Sequence, residues 1–280
     1  MNVISSLSEM SQKANQLRDM GHTIALVPTM GSLHEGHASL LRLARQKADI
    51  VVMSLFVNPI QFGPNEDFAH YPRDVEKDLR VAQKNEVDIV FTPSSEDMYP
   101  NGFETTVQVP HLSLHLCGLS RPDFLTGVAT VITILFHITK PHIAVFGEKD
   151  YQQILVIRRL VEDLHFDIDI IGAPIVREAD GLAMSSRNAY LTPTERKIAP
   201  MLYQALCQIR EIVQKNIRET ALLKKTATDF LAQEPAIQLE YLECKEANTL
   251  QPVMHINTPT LIAIAARLGN TRLIDNLVLF

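Results

Sequence analysis

Over the first two thirds of the chain, short apolar runs alternate with segments whose apolar residues recur at helical spacing. TIALVP (23–28), IVVMSLFV (50–57), VDIVFTP (87–93) and HIAVFG (142–147) have the length and β-branched content of strands buried on both faces. LSEMSQKANQLRDM (7–20) between them predicts a helix, opened by a Ser6-x-x-Glu9 capping box and stopped at Gly21. ASLLRLARQKAD (38–49) places Leu40, Leu41, Ala44 and Ala48 along one helical stripe. RDVEKDLRVAQKNE (73–86) reads as a polar helix, VATVITILFHIT (128–139) as a largely buried one and YQQILVIRRLVEDL (151–164) as a third. FDIDIIGAPIV (166–176) reads as an alternating strand.

Strands and helices in alternation predict an α/β domain, a Rossmann-like doubly wound parallel sheet, over residues 1–177. From about Ala179 the pattern changes. Thr192-Pro193-Thr194-Glu195 combines a capping box with Pro at the first helical position, and Pro200 predicts a break near Ala199. A helix over 221–233 and strands in IQLEYLE (237–243) and PTLIAIAARL (259–268) predict a smaller C-terminal α+β domain over 178–280.

The composition narrows the function classes. Of 280 residues, 46% are hydrophobic and 21% charged, enough for a sizeable core without disulfide staples. A net charge of −6 argues against a nucleic-acid scaffold, which must neutralise phosphates with Lys and Arg. Cys117, Cys207 and Cys244 form no C-x-x-C pair and read as reduced thiols. MNVISSLSEM lacks the features of a signal peptide, and no apolar run is long enough to span a bilayer. The expectation is a soluble, cytoplasmic protein without a membrane partner.

PTMGSLHEGH (28–37) spaces Gly31 and Gly36 as a P-loop does, but His37 and Ala38 stand where that motif needs Lys and Ser/Thr. His34 and His37 lie three apart at the start of a helix, sharing a face. Free N–H groups at that helix end would favour a phosphate, and the two imidazoles can donate to its oxygens. An H-x-x-H pair taken alone fits a partial metal site or surface histidines equally well. Three further polar segments change the balance. FVNPIQF (56–62) carries Asn58 and Gln61 just after a strand, where amides can orient a carboxylate and hydroxyls. FGEKDYQQ (146–153) places Lys149 and Asp150 after another strand, with Gln153 one turn on. READGLAMSSRNAYL (177–191) gathers Ser185, Ser186 and Arg187, a suitable grip for a triphosphate. Each segment alone also fits a solvated turn or a polar loop. Neither G-x-S-x-G nor G-x-G-x-x-G is present.

In order along the chain, PTMGSLHEGH, FVNPIQF, YPRD, FGEKDYQQ, VIRRLVEDL and VREADGLAMSSRNAYL resemble the pantoate–β-alanine ligase family. The histidine pair is similar to that of the HIGH-type nucleotidyltransferases, shared with class I aminoacyl-tRNA synthetases. The resemblance implies a cytoplasmic, ATP- and Mg2+-dependent homodimer with a Rossmann-type domain and a smaller lid domain. It implies that pantoate's carboxylate attacks the α-phosphorus of ATP, and that β-alanine then displaces AMP to give pantothenate. It places ATP against Met30, Gly31, Ser32, Leu33, His34, Glu35, Gly36 and His37. Gly147, Glu148, Lys149, Asp150, Val176, Met184, Ser185, Ser186 and Arg187 complete that set. Gln61 and Gln153 would hold pantoate, with Asn58 and Arg121 bordering. His37 corresponds to the family's catalytic proton donor, with His34 beside it and Lys149 and Arg187 on the phosphates. The metal ligands are not identified. RPDFLTGV (121–128) departs from the family's R-P-G-H-F-x-G-V, with Asp123, Phe124 and Leu125 in place of Gly, His and Phe. An adenylyltransferase making a dinucleotide cofactor, and a non-catalytic nucleotide-binding module, remain as alternatives from the residues alone.

Overall fold

The computed structural model describes residues 1–64 and 66–280, and its contacts divide the chain into two units, Met1–Pro174 and Ile175–Phe280. In the first unit a parallel sheet runs in the order β1-β4-β3-β2-β5-β6. Its strands are β1 (Asn2–Ile4), β2 (Ile24–Thr29), β3 (Ile50–Leu55), β4 (Ile89–Phe91), β5 (Ile143–Gly147) and β6 (Asp169–Ala173). The long helices are α1 (Leu7–Asp19), α2 (Glu35–Lys47), α3 (Val75–Lys84), α7 (Phe124–Thr139) and α8 (Tyr151–Asp163). The single turns α4 (Ser95–Met98), α5 (Pro110–Ser113) and α6 (Cys117–Ser120) lie between α3 and α7.

The predicted doubly wound sheet is present, and its apolar logic is direct. Val27, Met53, Val90 and Val145 on the strands pack with Leu41 and Ala44 of α2 and Ala82 of α3. α7, apolar almost all round, buries Leu125, Val128, Ile132, Leu135 and Phe136, and packs against α1 and α8. The N-cap of α1 is Ser6, whose side chain accepts from Glu9 N, and Gly21 follows its end at φ +82°. From β2 the chain winds outward through β3 to β4, then returns to the other side of β2 for β5. The strand order therefore reverses between β2 and β5, where ligands of doubly wound sheets bind. The β2–β5 ladder covers only Ala25 and Leu26, and Pro28 brings no N–H beyond it.

Several boundaries differ from the sequence pattern for local reasons. β6 ends at Ala173 because Pro174 cannot donate to the ladder. β1 is three residues long, too short to show a period, and α7 begins at Phe124 within the unusual RPDFLTGV segment.

The second unit contains α9 (Pro193–Ile198), α10 (Met201–Gln214) and α11 (Thr220–Leu231) with an antiparallel sheet. Its strands are β7 (Ile237–Glu246), β8 (Thr260–Leu268) and β9 (Thr271–Leu279). The capping box of Thr192 and Glu195 forms as read, and Pro200 separates α9 from α10. β9 escaped the sequence pattern because Asp275 and Asn276 are buried polar residues within it. Asp275 is held by both terminal nitrogens of Arg177, at 2.6 and 2.9 Å.

Gly127 fixes the position of a loop that matters below. A Cβ there would lie 2.5 Å from Ile60 O and 2.7 Å from Gln61 Cα, so the α7 backbone lies directly against the 3-10 turn Pro59–Gln61. The Gly127→Ala protein should lose about 1–3 kcal/mol of stability in urea unfolding, because neither backbone can yield without moving the loop. Unchanged stability would contradict this contact.

Candidate active site

The loop after β2 runs through two residues in the left-handed region, Gly31 (φ +89°) and Ser32 (φ +52°). Beneath it lies Asp78, only 1% exposed, which accepts from Ser32 N at 2.9 Å and Leu33 N at 2.7 Å. A Cβ at Gly31 would meet Asp78 Oδ2 at 2.9 Å, so glycine is required both for φ and for space. Burial raises the Asp78 pKa, and the two backbone N–H groups oppose that shift. The sequence reading missed Asp78. The available signal was a carboxylate four residues before Ala82, on the buried stripe of a helix that is otherwise polar.

The same loop leads into α2 through a capping box built from imidazoles. Gly36 N donates to His34 Nδ1 at 3.1 Å, and His34 N donates to His37 Nδ1 at 3.3 Å. Two N–H groups at this helix end, those of His34 and Gly36, are thus taken by the rings, and those of Ser32 and Leu33 in the loop before it by Asp78. A neutral imidazole that accepts at Nδ1 carries its hydrogen on Nε2. Both rings are held neutral. His34 is lowered to about 4, chiefly by burial and then by the charges of Lys149 and Lys77. His37 is lowered to about 3 by burial, then by His34 and Lys149. Ring centroids 4.2 Å apart make this one paired donor surface. Glu35 pairs with Arg42 and is exposed. Lys77, whose charge reaches His34, is a second cation that the sequence reading did not select.

Asn58 and Gln61 follow β3. Asn58 Nδ2 donates to Gln61 Oε1 and to Gly127 O, each at 3.1 Å, and Tyr99 Oη donates to Asn58 Oδ1 at 2.7 Å. Asn58 is 1% exposed and has both donor hydrogens engaged, so it supports the site from behind. Gln61 Nε2 reaches Met30 Sδ at 2.9 Å and joins this loop to the first. Arg121 is gripped by Glu66 at 2.5 and 2.6 Å, lies 3.8 Å over the Phe124 ring and donates to Gln61 O at 3.3 Å. It therefore braces the Gln61 loop, and Phe124, one of the departures from the family pattern, is its stacking partner.

The third loop begins at Gly147, where β5 ends, and the 3-10 turn Glu148–Asp150 leads straight into α8. Lys149 lies close enough to depress both histidines. The Glu148 side chain lies over Gly172 of β6, where a Cβ would come within 2.8 Å of its Oε1. Gln152 turns inward and donates to Leu112 O and His115 O, which leaves the half-buried Gln153 on the adjacent face.

Val176, Met184, Ser185, Ser186 and Arg187 belong to the second unit, where they form a compact turn of their own. Met184 N donates to Val176 O at 3.0 Å, and the Ser185 hydroxyl accepts from Arg187 N at 3.3 Å, capping the 3-10 turn Ser186–Tyr190. Among the described residues no group of three or more His, Cys, Asp or Glu side chains is gathered for a metal ion. Nor is any described helix long and apolar enough to cross a membrane.

Comparison with known proteins gives a consistent result. The family profile described as "Pantoate-beta-alanine ligase" matches residues 2–278. A pantothenate synthetase of Pelobacter propionicus is 53% identical over 100% of this chain and 98% of its own length. One from Geobacter sulfurreducens is 51% identical over 100% and 99%. The crystal structure of pantothenate synthetase from Thermus thermophilus matches with a TM-score of 0.94 at 43% identity, covering 99% of each chain. That of the pantoate-beta-alanine ligase from Francisella tularensis, complexed with beta-gamma ATP and beta-alanine, matches at 0.79 and 33% identity, covering 99% of this chain and 97% of its own.

Replacing Asp78 by Asn sets an amide N–H against one of the two backbone donors. Asp78→Asn should cost about 1–3 kcal/mol in chemical denaturation, the penalty of a buried donor left without its acceptor. It should also raise the KM for the nucleotide, because the loop ahead of His34 loses its anchor. Wild-type values for both would contradict the clamp.

Proposed function

The chain belongs to the pantoate–β-alanine ligase family, and on that premise we propose that its two histidines act as neutral hydrogen-bond donors to the α-phosphate of ATP. The protein is a pantoate–β-alanine ligase, condensing pantoate with β-alanine at the expense of ATP. In the first step a pantoate carboxylate oxygen bonds to the α-phosphorus, and the bond to the bridging oxygen breaks to release pyrophosphate. In the second the β-alanine amine bonds to the acyl carbon, loses a proton, and AMP leaves with the electron pair of the acyl–oxygen bond. No covalent bond to the enzyme is needed.

The observation that carries this reading is the backbone N–H placed on each Nδ1, which supports an Nε2–H at both rings. Charge grows on the α-phosphate oxygens as the five-coordinate transition state forms, and oriented donors in a dehydrated site stabilise it most there. Imidazoles with pKa values of about 4 and 3 are neutral at pH 7, so at neutral pH the His37 role implied by the resemblance is that of a hydrogen-bond donor. Lys149 supplies the full positive charge. Met30 through His37 and Gly147 through Asp150 would receive ATP, with Asp150 on the ribose. Gln61 and Gln153 would hold pantoate.

From the second unit, Val176 and Met184 through Arg187 would complete the nucleotide site, with Arg187 and the two serines on the triphosphate. This unit would act as a lid that keeps the acyl adenylate from water. Mg2+ would enter on the ATP phosphates, and the enzyme would work as a cytoplasmic homodimer.

Pantoate-dependent exchange of labelled pyrophosphate into ATP, with Mg2+ and without β-alanine, tests the first step alone. Wild-type protein should exchange, and His37→Ala should lose about 10²–10³ of that rate while still binding ATP. Exchange that ignores pantoate, or that survives the substitution, would overturn the reading.

A further inference from the structure

The hydrogen bonds behind Gln61 form a directed chain. A backbone carbonyl can only accept, so the contact from Asn58 to Gly127 O establishes which end of the Asn58 amide is nitrogen. Its oxygen then faces Tyr99, which donates at 2.7 Å. The same nitrogen donates to Gln61 Oε1, so the Gln61 amide has its oxygen turned inward and its NH2 group outward, against Met30 Sδ. A thioether is a weak acceptor, and an incoming oxygen replaces it favourably. Tyr99 reaches this chain from the C-terminal end of α4, its ring packed edge-on to Phe103 at 5.0 Å and near Phe56 at 6.2 Å. Burial pushes its phenol upward, so the hydroxyl keeps its proton.

We propose that Tyr99 is a positioning and specificity-determining residue for the acid substrate: by holding Asn58, it makes Gln61 present N–H donors, and no carbonyl, to a substrate carboxylate or hydroxyl oxygen. This rests on the reading of Gln61 as part of the pantoate pocket. The chain contains no ionised group, so its effect is geometric. Turning Asn58 over would set oxygen against oxygen at Gly127 and at Gln61, and turning Gln61 over would set its NH2 against that of Asn58. Without the Tyr99 hydroxyl, Asn58 Oδ1 is left on a side chain 1% exposed with its donor gone, and the constraint on Gln61 slackens.

The test uses the full chain in the pyrophosphate-exchange assay. Tyr99→Phe keeps the ring among its neighbours and removes only the donor. It should raise the KM for pantoate about tenfold, leave the KM for ATP within about twofold, and keep the wild-type Tm to within a few degrees. It should also shrink the preference for pantoate over an analogue lacking one hydroxyl. Gln61→Glu, which turns an anionic oxygen toward the pocket, should abolish pantoate binding and spare ATP. Equal rises in both KM values with a lowered Tm would make Tyr99 merely structural and overturn the proposal. Unaltered pantoate KM and selectivity in Tyr99→Phe, or pantoate binding retained by Gln61→Glu, would overturn it too. Wild-type protein that shows no pantoate-dependent exchange would instead overturn the assignment of the reaction.

Discussion

A buried carboxylate that accepts two backbone N–H groups holds the first loop in place. Asp78 lies in the interior on α3, and Ser32 N and Leu33 N both point at it. That arrangement forces the chain through positive φ at Gly31 and Ser32 and delivers His34 to the N-cap of α2 in extended geometry. From there each step follows from satisfying donors. Two of the N–H groups at the helix end, those of His34 and Gly36, go to the two Nδ1 atoms, and the rings carry donor character through Nε2. The helix end thus carries two imidazoles whose Nε2 donors reach further than a backbone N–H and stay uncharged.

Neutrality is common to the two histidines of the first loop and the two amides of the second. Burial and nearby cations hold the histidines uncharged, and the second loop offers amides oriented by Tyr99 and Gly127. Lys149 stands among them as a formal charge. Such a set suits a reaction in which negative charge moves between oxygens and no proton has to be taken up at the phosphate. Oriented dipoles need little rearrangement as that charge moves.

The winding of the sheet and the loops at its strand ends were legible because they depend on local rules. Uninterrupted apolar runs, a Pro at a helix start and a Gly after a helix end each specify a shape without reference to distant residues. The resemblance across ordered motifs supplied the chemistry. What stayed hidden was tertiary. Asp78 lies in a segment that reads as a polar helix and Tyr99 in one to which the sequence pattern assigns no element, and only folding shows that they face the loops after β2 and β3. Asn58 and Arg121 were legible as polar residues near the site. Their commitment to Gly127, Gln61 and Glu66 depends on contacts across more than fifty residues of sequence. β9 was lost to the pattern because its buried Asp275 serves Arg177.

The most direct test of the account is the protonation state of the two histidines in the free protein, read from side-chain 15N–1H correlation spectra of labelled protein between pH 8 and 4. The account predicts neutral rings with the hydrogen on Nε2 at pH 6, and titration only toward about 4 for His34 and about 3 for His37. A hydrogen on Nδ1 in either ring, or titration near the ordinary value of 6.5, would contradict it.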